Sequence, residues 1–312
     1  MSAPSDPAPR EDAAAPTGLS VPEAALVVGI VLVWASLYPV GKLALAEITP
    51  SQLTFVRAAL ASAVLLAVCA ATGRLRLVLA ALRPPRLGGV VVLGLSGFAL
   101  SAWLSMAALG HLPSGVSSLL SNSSPLMVAA VAVLLLRERT DRRTVAGIAI
   151  GFAGVALVVL RGGMDARGVS AVGVALGLLS AAFWAVYTAL MRRLVAEQDT
   201  LAVGAATALV GAVPLAVAAE VDGGHQRLLA ASTTTHLILL WCGIMATGVT
   251  FTMWVFLLKR IPAANAAAFQ YLIPLFALFL ALPIAGEPFT PLVLLGAAMI
   301  VSGVMLANVN RR

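Results

Sequence analysis

Pro113–Leu157 reads PSGVSSLLSNSSPLMVAAVAVLLLRERTDRRTVAGIAIGFAGVAL, and Pro262–Leu306 reads PAANAAAFQYLIPLFALFLALPIAGEPFTPLVLLGAAMIVSGVML. Overlaid without a gap at an offset of 149 residues, they pair Pro113 with Pro262, Pro125 with Pro274, Ala132 with Ala281 and Glu138 with Glu287. Gly147 with Gly296, Gly154 with Gly303, Val155 with Val304 and Leu157 with Leu306 continue the register. In a chain rich in Ala, Leu, Val and Gly some of these matches would arise by chance. Coincident prolines and a coincident acid, where acids are scarce, would not. The chain is therefore expected to be two copies of one unit, residues 21–161 and 162–312, after a polar tail at 1–20.

Composition sets the solvent. With 61% hydrophobic and 11% charged residues and a mean hydropathy of +1.01, most of the chain is unfit for a water-facing surface. Apolar stretches close to the ~20 residues that cross a bilayer fall at about 24–43, 51–72, 88–109, 114–136, 144–160, 169–190, 201–219, 235–258, 262–285 and 289–308. The expected fold class is all-α integral membrane, with ten transmembrane spans in two sets of five. Because five is odd, the second set enters from the opposite side, which makes the repeat inverted.

Basic residues orient the spans. With a cytoplasmic N-terminus the inner segments hold fifteen Arg and Lys, and the outer loops hold only Arg161, Arg167 and Arg227. The positive-inside rule then places both termini in the cytoplasm of a cell whose inner (plasma) membrane the chain crosses many times. The net charge of +7 reports topology and not nucleic-acid binding, since the bases are scattered over several segments. Residues 1–20, polar and proline-rich, read as a disordered tail and not as a cleavable signal. Cys69 and Cys242 fall within spans without metal-like neighbours and read as apolar packing. No metal and no cofactor is called for; the expected partners are lipid and a small-molecule substrate.

Inverted repeats of five spans are an architecture of secondary transporters, which hold substrate near the bilayer midplane between the repeats. The fourth span carries Ser117, Ser118, Ser121, Asn122, Ser123 and Ser124 just before Pro125. The ninth carries Gln270 and Tyr271 before Pro274. A proline inside a helix leaves the carbonyl four residues earlier without its partner, here Ser121 and Gln270. Such groups belong inside the protein, either in a seam of small residues or in a wet substrate cavity. Aromatics repeat as well: Trp34 and Trp184 share one offset, with Tyr38 and Tyr187 about one turn further on the same helix faces. They, and Trp103 and Trp254, read as cavity lining or inter-helix packing, whereas Trp241 reads as an interfacial belt residue.

Lys42 and Arg57 are bases that neither a loop nor a tail explains. Each either attracts a substrate carboxylate or bonds helix-terminal carbonyls. Glu138 and Glu287 fall at turns and read as helix-capping residues. All thirteen acids lie in loops, tails or helix ends, so no midplane carboxylate is available for proton coupling or for a permanently cationic substrate. Facilitated diffusion or exchange is expected instead. The glycines at 147, 154, 296 and 303 recur every seven residues in the fifth and tenth spans, where they make smooth faces for peripheral packing or for a homodimer contact.

These residues together resemble the EamA-type domain pair of the drug/metabolite transporter superfamily. The resemblance rests on Val33, Trp34, Ala35 and Ser36 followed by Lys42, Pro50 and Arg57, and on the Pro113, Ser117, Pro125, Glu138, Gly147 and Gly154 series with its second copy. It covers about residues 24–308. It implies ten helices, a central cavity built mainly from helices 1, 3, 4, 6, 8 and 9, and export of amino acids or related metabolites. Small four-helix relatives use an acid in their first helix to couple protons, and this chain has none there. The resulting expectation is a permease, not an enzyme, exporting small neutral or zwitterionic metabolites. The substrate-binding residues would be Trp34, Tyr38, Arg57, Trp103, Ser121, Asn122, Trp184, Tyr187, Gln270 and Tyr271. A drug exporter is the alternative within transport, and a lipid-handling or scaffold subunit the alternative outside it.

Overall fold

The computed structural model describes residues 21–124, 126–127, 142–161, 170–195, 198–257, 270, 272–288 and 290–308, and every regular element among them is helical. We label the principal helices α1 (Val21–Ala44), α2 (Pro50–Ala71), α3 (Leu87–His111), α4 (Ser114–Ser121) and α5 (Arg142–Arg161). They continue as α6 (Ala171–Val195), α7 (Thr200–Asp222), α8 (Thr233–Leu257), α9 (Leu272–Ala285) and α10 (Pro291–Asn308). Among the described residues, six helices are long and apolar enough to cross a membrane: α1, α2, α3, α7, α8 and the Ala171–Thr188 part of α6. At 1.5 Å per residue, a 22-residue helix such as α2 extends about 33 Å, enough for the hydrocarbon core. Val213, Val217 and Val221 are exposed at four-residue spacing along α7, a stripe suited to lipid.

Local sequence determines where these helices begin. Thr49 and Gln52 form a reciprocal capping box around Pro50, with bonds of 3.2 and 3.0 Å. Asp199 accepts the N–H groups of Leu201 and Ala202 at 3.1 and 3.0 Å to start α7. Ser232 accepts that of Thr235 at 3.2 Å to start α8, and Thr290 precedes Pro291 and accepts from Val293 at 3.3 Å. Each cap satisfies donors that the first helical turn leaves free.

Packing pairs helices from the two halves of the chain. α2 lies on α7, α1 on α9, α4 on both α6 and α9, and α5 on α10. The α2–α7 pair is tied at both ends: Gln52 Nε2 donates to Gly224 O at 2.7 Å, and Arg74 Nε meets Asp199 Oδ2 at 3.2 Å. Where α5 crosses α10, a Cβ on Gly154 would lie 2.7 Å from the Gly296 carbonyl, and one on Gly303 would lie 2.5 Å from that of Gly147. The glycine faces read from the sequence as peripheral or dimeric are thus turned towards each other within one chain. Cys69 and Cys242 are buried free thiols.

Two features depart from the sequence reading. The fourth span is not one continuous helix up to Pro125: α4 ends at Ser121, and Asn122 forms its cap. Asn122 Nδ2 bonds back to Ser118 O at 2.9 Å and Ser123 Oγ to Leu120 O at 2.6 Å, so side chains occupy carbonyls near the helix end. Pro125 itself lies outside the described residues, as do Glu138 and Tyr271; Pro274 is buried near the start of α9. The second departure is that α3 and α8 are not uniformly α-helical. Gly94–Ser101 and Trp241–Val249 adopt the wider π turn, a geometry that recurs at functional sites. In the second, Thr247 Oγ1 reaches the carbonyl five residues earlier, Cys242 O, at 2.8 Å.

Candidate functional site

A cavity of about 210 Å³ opens where α1, α2, α3, α4, α6, α8 and α9 converge with Gln270. Both π turns border it, through Gly97, Phe98 and Ser101 on one side and Ala246 and Thr247 on the other. Trp34 stands close to the middle of α1, so the cavity lies near the centre of the helical bundle. Gly97 is required there, because a Cβ at that position would run into the Tyr187 ring.

One wall is polar. Asn122 Nδ2 donates to the Tyr38 hydroxyl at 2.9 Å. Ser105 Oγ donates to Ser121 Oγ at 3.1 Å, linking α3 to α4. Ser101 and Ser180 bond reciprocally between α3 and α6: Ser101 Oγ donates to Ser180 O at 3.0 Å, and Ser180 Oγ to Ser101 O at 2.8 Å. The break after Ser121 turns the Asn122 amide towards Tyr38 instead of leaving it on a continuing helix face. The rest of the lining is largely apolar, with Trp34, Phe98, Trp184 and Phe251. Trp34 is braced by Trp254 at a ring separation of 5.2 Å, and Trp184 by Tyr187 at 5.0 Å. Arg57 enters from α2.

The cavity thus brings together Trp34, Tyr38, Arg57, Ser121, Asn122, Trp184 and Gln270 from distant parts of the sequence. Trp103 and Tyr187 are not among its lining residues. The Trp103 indole donates to Ser51 Oγ at 2.9 Å, and Ser51 donates to Asp222 Oδ2 at 2.9 Å, a chain from α3 through α2 to α7. Tyr187 is buried behind Gly97, edge-on to Phe98 at 6.2 Å. Trp241, read as a belt residue, donates instead to Ser36 Oγ of α1 at 3.0 Å.

The candidate charges divide by role. Lys42 Nζ donates to Leu109 O at 2.6 Å and Leu112 O at 2.8 Å. It neutralises the carbonyl end of α3, a favourable site for a cation. These are helix-terminal carbonyls, one of the two uses expected for this base. Glu287 accepts the Ser114 N–H at 2.6 Å, capping α4 from the other half of the chain. Its place at a turn marked it as a capping residue, but only the fold reveals the helix it serves. Ser101, Ser105, Ser180 and Thr247 escaped the sequence reading. Their signal was present as isolated hydroxyls in otherwise apolar spans, Ser101 and Ser105 one turn apart.

A model of the EamA-like transporter family matches residues 22–160 and again residues 171–309. The chain is 30% identical over 284 residues to the probable terminal-alkyne amino-acid exporter of Streptantibioticus cattleyicolor, covering 89% of this chain and 90% of that protein. It is 27% identical over 216 residues to the probable amino-acid metabolite efflux pump of Escherichia coli (strain K12), covering 67% and 72%. An uncharacterized transporter of Bacillus subtilis (strain 168) is 28% identical over 292 residues, covering 93% and 92%. A solved crystal structure with 22% identity aligns over 92% of this chain and 97% of its own with a TM-score of 0.62, a likeness of fold.

Proposed function

The chain belongs to the EamA-like transporter family, as a multi-pass membrane transporter and not an enzyme, and from that premise we propose that it exports small neutral or zwitterionic metabolites, amino acids foremost, from the cell. In this reading ten spans form two inverted repeats in the inner membrane, with both termini cytoplasmic. Rocking of one half against the other exposes the central cavity alternately to each side, by facilitated diffusion or exchange.

The observation that carries the proposal is the cavity itself. It adjoins the middle of α1, in keeping with the midplane sites of transporters built from repeats, it is bordered by both halves, and it combines aromatic faces with a few convergent polar groups. Trp34 and Trp184 would hold an apolar side chain, with Tyr38, Ser121, Asn122 and Gln270 bonding the polar end. Tyr271 is proposed to join them. The names carried by two relatives, amino-acid exporter and amino-acid metabolite efflux pump, support the substrate class. A homodimer would use the outward surfaces of α5 and α10, since their glycine faces are already occupied by each other.

Reconstitution into proteoliposomes with a mixture of amino acids tests the proposal. Saturable equilibration without a pH gradient is expected. Asn122→Ala combined with Gln270→Ala should reduce flux at least about tenfold, the equivalent of roughly 1.4 kcal/mol of lost interaction, with an unchanged elution profile. Flux unaffected by the double substitution would remove this cavity as the site. Accumulation only under a gradient would establish proton coupling instead.

A further inference from the structure

Charge within the cavity narrows what can enter it, and this step rests on the transport reading above. Among its described lining residues, Arg57 alone carries a formal charge. A guanidinium stays protonated and offers five N–H donors. The ion pairs among the described residues, Arg74–Asp199 and His225–Glu220, leave it out. The other polar groups of the described lining are neutral hydroxyls, amides and indoles. A cation placed between membrane helices without an acid opposite it is costly, and an entering anion relieves that cost.

The possible substrates can be ranked on this basis. A cation meets a like charge. A dianion brings a second negative charge that nothing in the described lining offsets. A zwitterionic amino acid matches Arg57 through its carboxylate, but its ammonium finds only neutral oxygens and aromatic faces. A monoanion with an apolar body matches both the single cation and the tryptophan and phenylalanine lining.

We propose that Arg57 binds the substrate carboxylate and that the carboxylate, not the ammonium, is the recognised group. The carrier then accepts apolar monocarboxylates as a class, comprising apolar amino acids and their N-acylated counterparts, and rejects the corresponding amides.

Binding and flux test separate links of this argument. The tryptophans at the cavity, Trp34 and Trp184, provide an intrinsic fluorescence signal for purified full-length protein in nanodiscs. The probes are phenylalanine, N-acetylphenylalanine and phenylalaninamide at neutral pH. N-acetylphenylalanine should bind at least as tightly as phenylalanine, and phenylalaninamide at least about tenfold more weakly, as expected when a charge-assisted hydrogen bond is lost. Arg57→Gln should abolish this discrimination, while Arg57→Lys, which keeps the charge but not the bidentate geometry, should retain part of it. The pair remains informative if one variant elutes as aggregate. Phenylalaninamide binding as well as phenylalanine, or N-acetylphenylalanine failing to bind at millimolar concentration, would overturn the proposal. Proteoliposome flux of the same probes is the second arm. Carboxylate-selective binding without saturable flux would sink the transport reading and leave the carboxylate site standing.

Discussion

Where α5 crosses α10 the backbones meet directly through glycine, whereas α1, α3, α4 and α6 converge on side-chain hydroxyls, an amide and a void. Both are solutions to packing helices in lipid, where water does not drive the helices together. The glycine seam maximises close contact and leaves no room for a side chain. The cavity wall instead places Ser101 against Ser180, Ser105 against Ser121 and Asn122 against Tyr38, bonds that can be exchanged for bonds to a ligand. The difference separates a region built to stay closed from one built to be refilled.

The seam offers the sharpest test. Gly303→Leu would drive a side chain into the Gly147 carbonyl and Gly151, and should destabilise the protein by about 3 kcal/mol, seen as a lower melting temperature and loss of monodisperse protein. Retention of wild-type melting would mean that the helices separate readily and the contrast with the cavity is false. Lys42→Met comes next. Removing the two carbonyl contacts at the end of α3 should cost about 2 kcal/mol, because hydrogen bonds to charged groups are among the stronger ones. A normal KM in the folded fraction is expected; a large rise in KM would place Lys42 on the substrate.

Double substitution of Ser101 and Ser180 by alanine probes the reciprocal pair in the cavity wall. Interhelical bonds of this kind couple by about 0.6 kcal/mol on average and up to about 1.7, so a coupling near 1 kcal/mol is expected in a double-mutant cycle. Zero coupling would reduce the pair to filler.

The smallest effect is at the solvent end of α1. The Glu47 carboxylate accepts the Ser232 N–H at 2.6 Å and its hydroxyl at 2.8 Å. The backbone bond first, and then the hydroxyl bond, hold its pKa below the usual carboxylate value. A depressed folded value contributes stability above the ordinary pKa and loses it as pH falls through the folded one. Melting temperature should therefore fall slightly as pH drops below about 4, and Glu47→Gln should lack that component. An identical acid profile in the variant would refute the linkage.

Much of the fold was legible because its causes are local. Thr49 and Gln52 cap α2 around Pro50, and Thr290 caps α10 before Pro291, each within three residues of the backbone group it serves. Trp34 and Tyr38 could be placed on one face from their spacing alone. Lys42 could be recognised as unusual, but not assigned to Leu109 and Leu112, because those carbonyls lie 67 and 70 residues away. Trp103 resembled Trp34 in the sequence, yet points to Ser51 and not into the cavity, since which face of α3 meets α2 depends on the rotation of the whole helix. The π turns at Gly94–Ser101 and Trp241–Val249 had no recognised signal.

By itself the sequence determined the medium, the apolar spans, the duplicated unit, the scarcity of acids within the spans and the caps that begin several helices. These follow from summed hydropathy, from counted charges and from side chains within a few residues of the backbone groups they satisfy. Only the tertiary structure decided that Arg57 faces a cavity without a described carboxylate, that α4 stops at Ser121, and that Glu287 serves α4. Those outcomes depend on the rotation and crossing of helices far apart in the chain, which the combined packing of many side chains sets and no single stretch of sequence encodes.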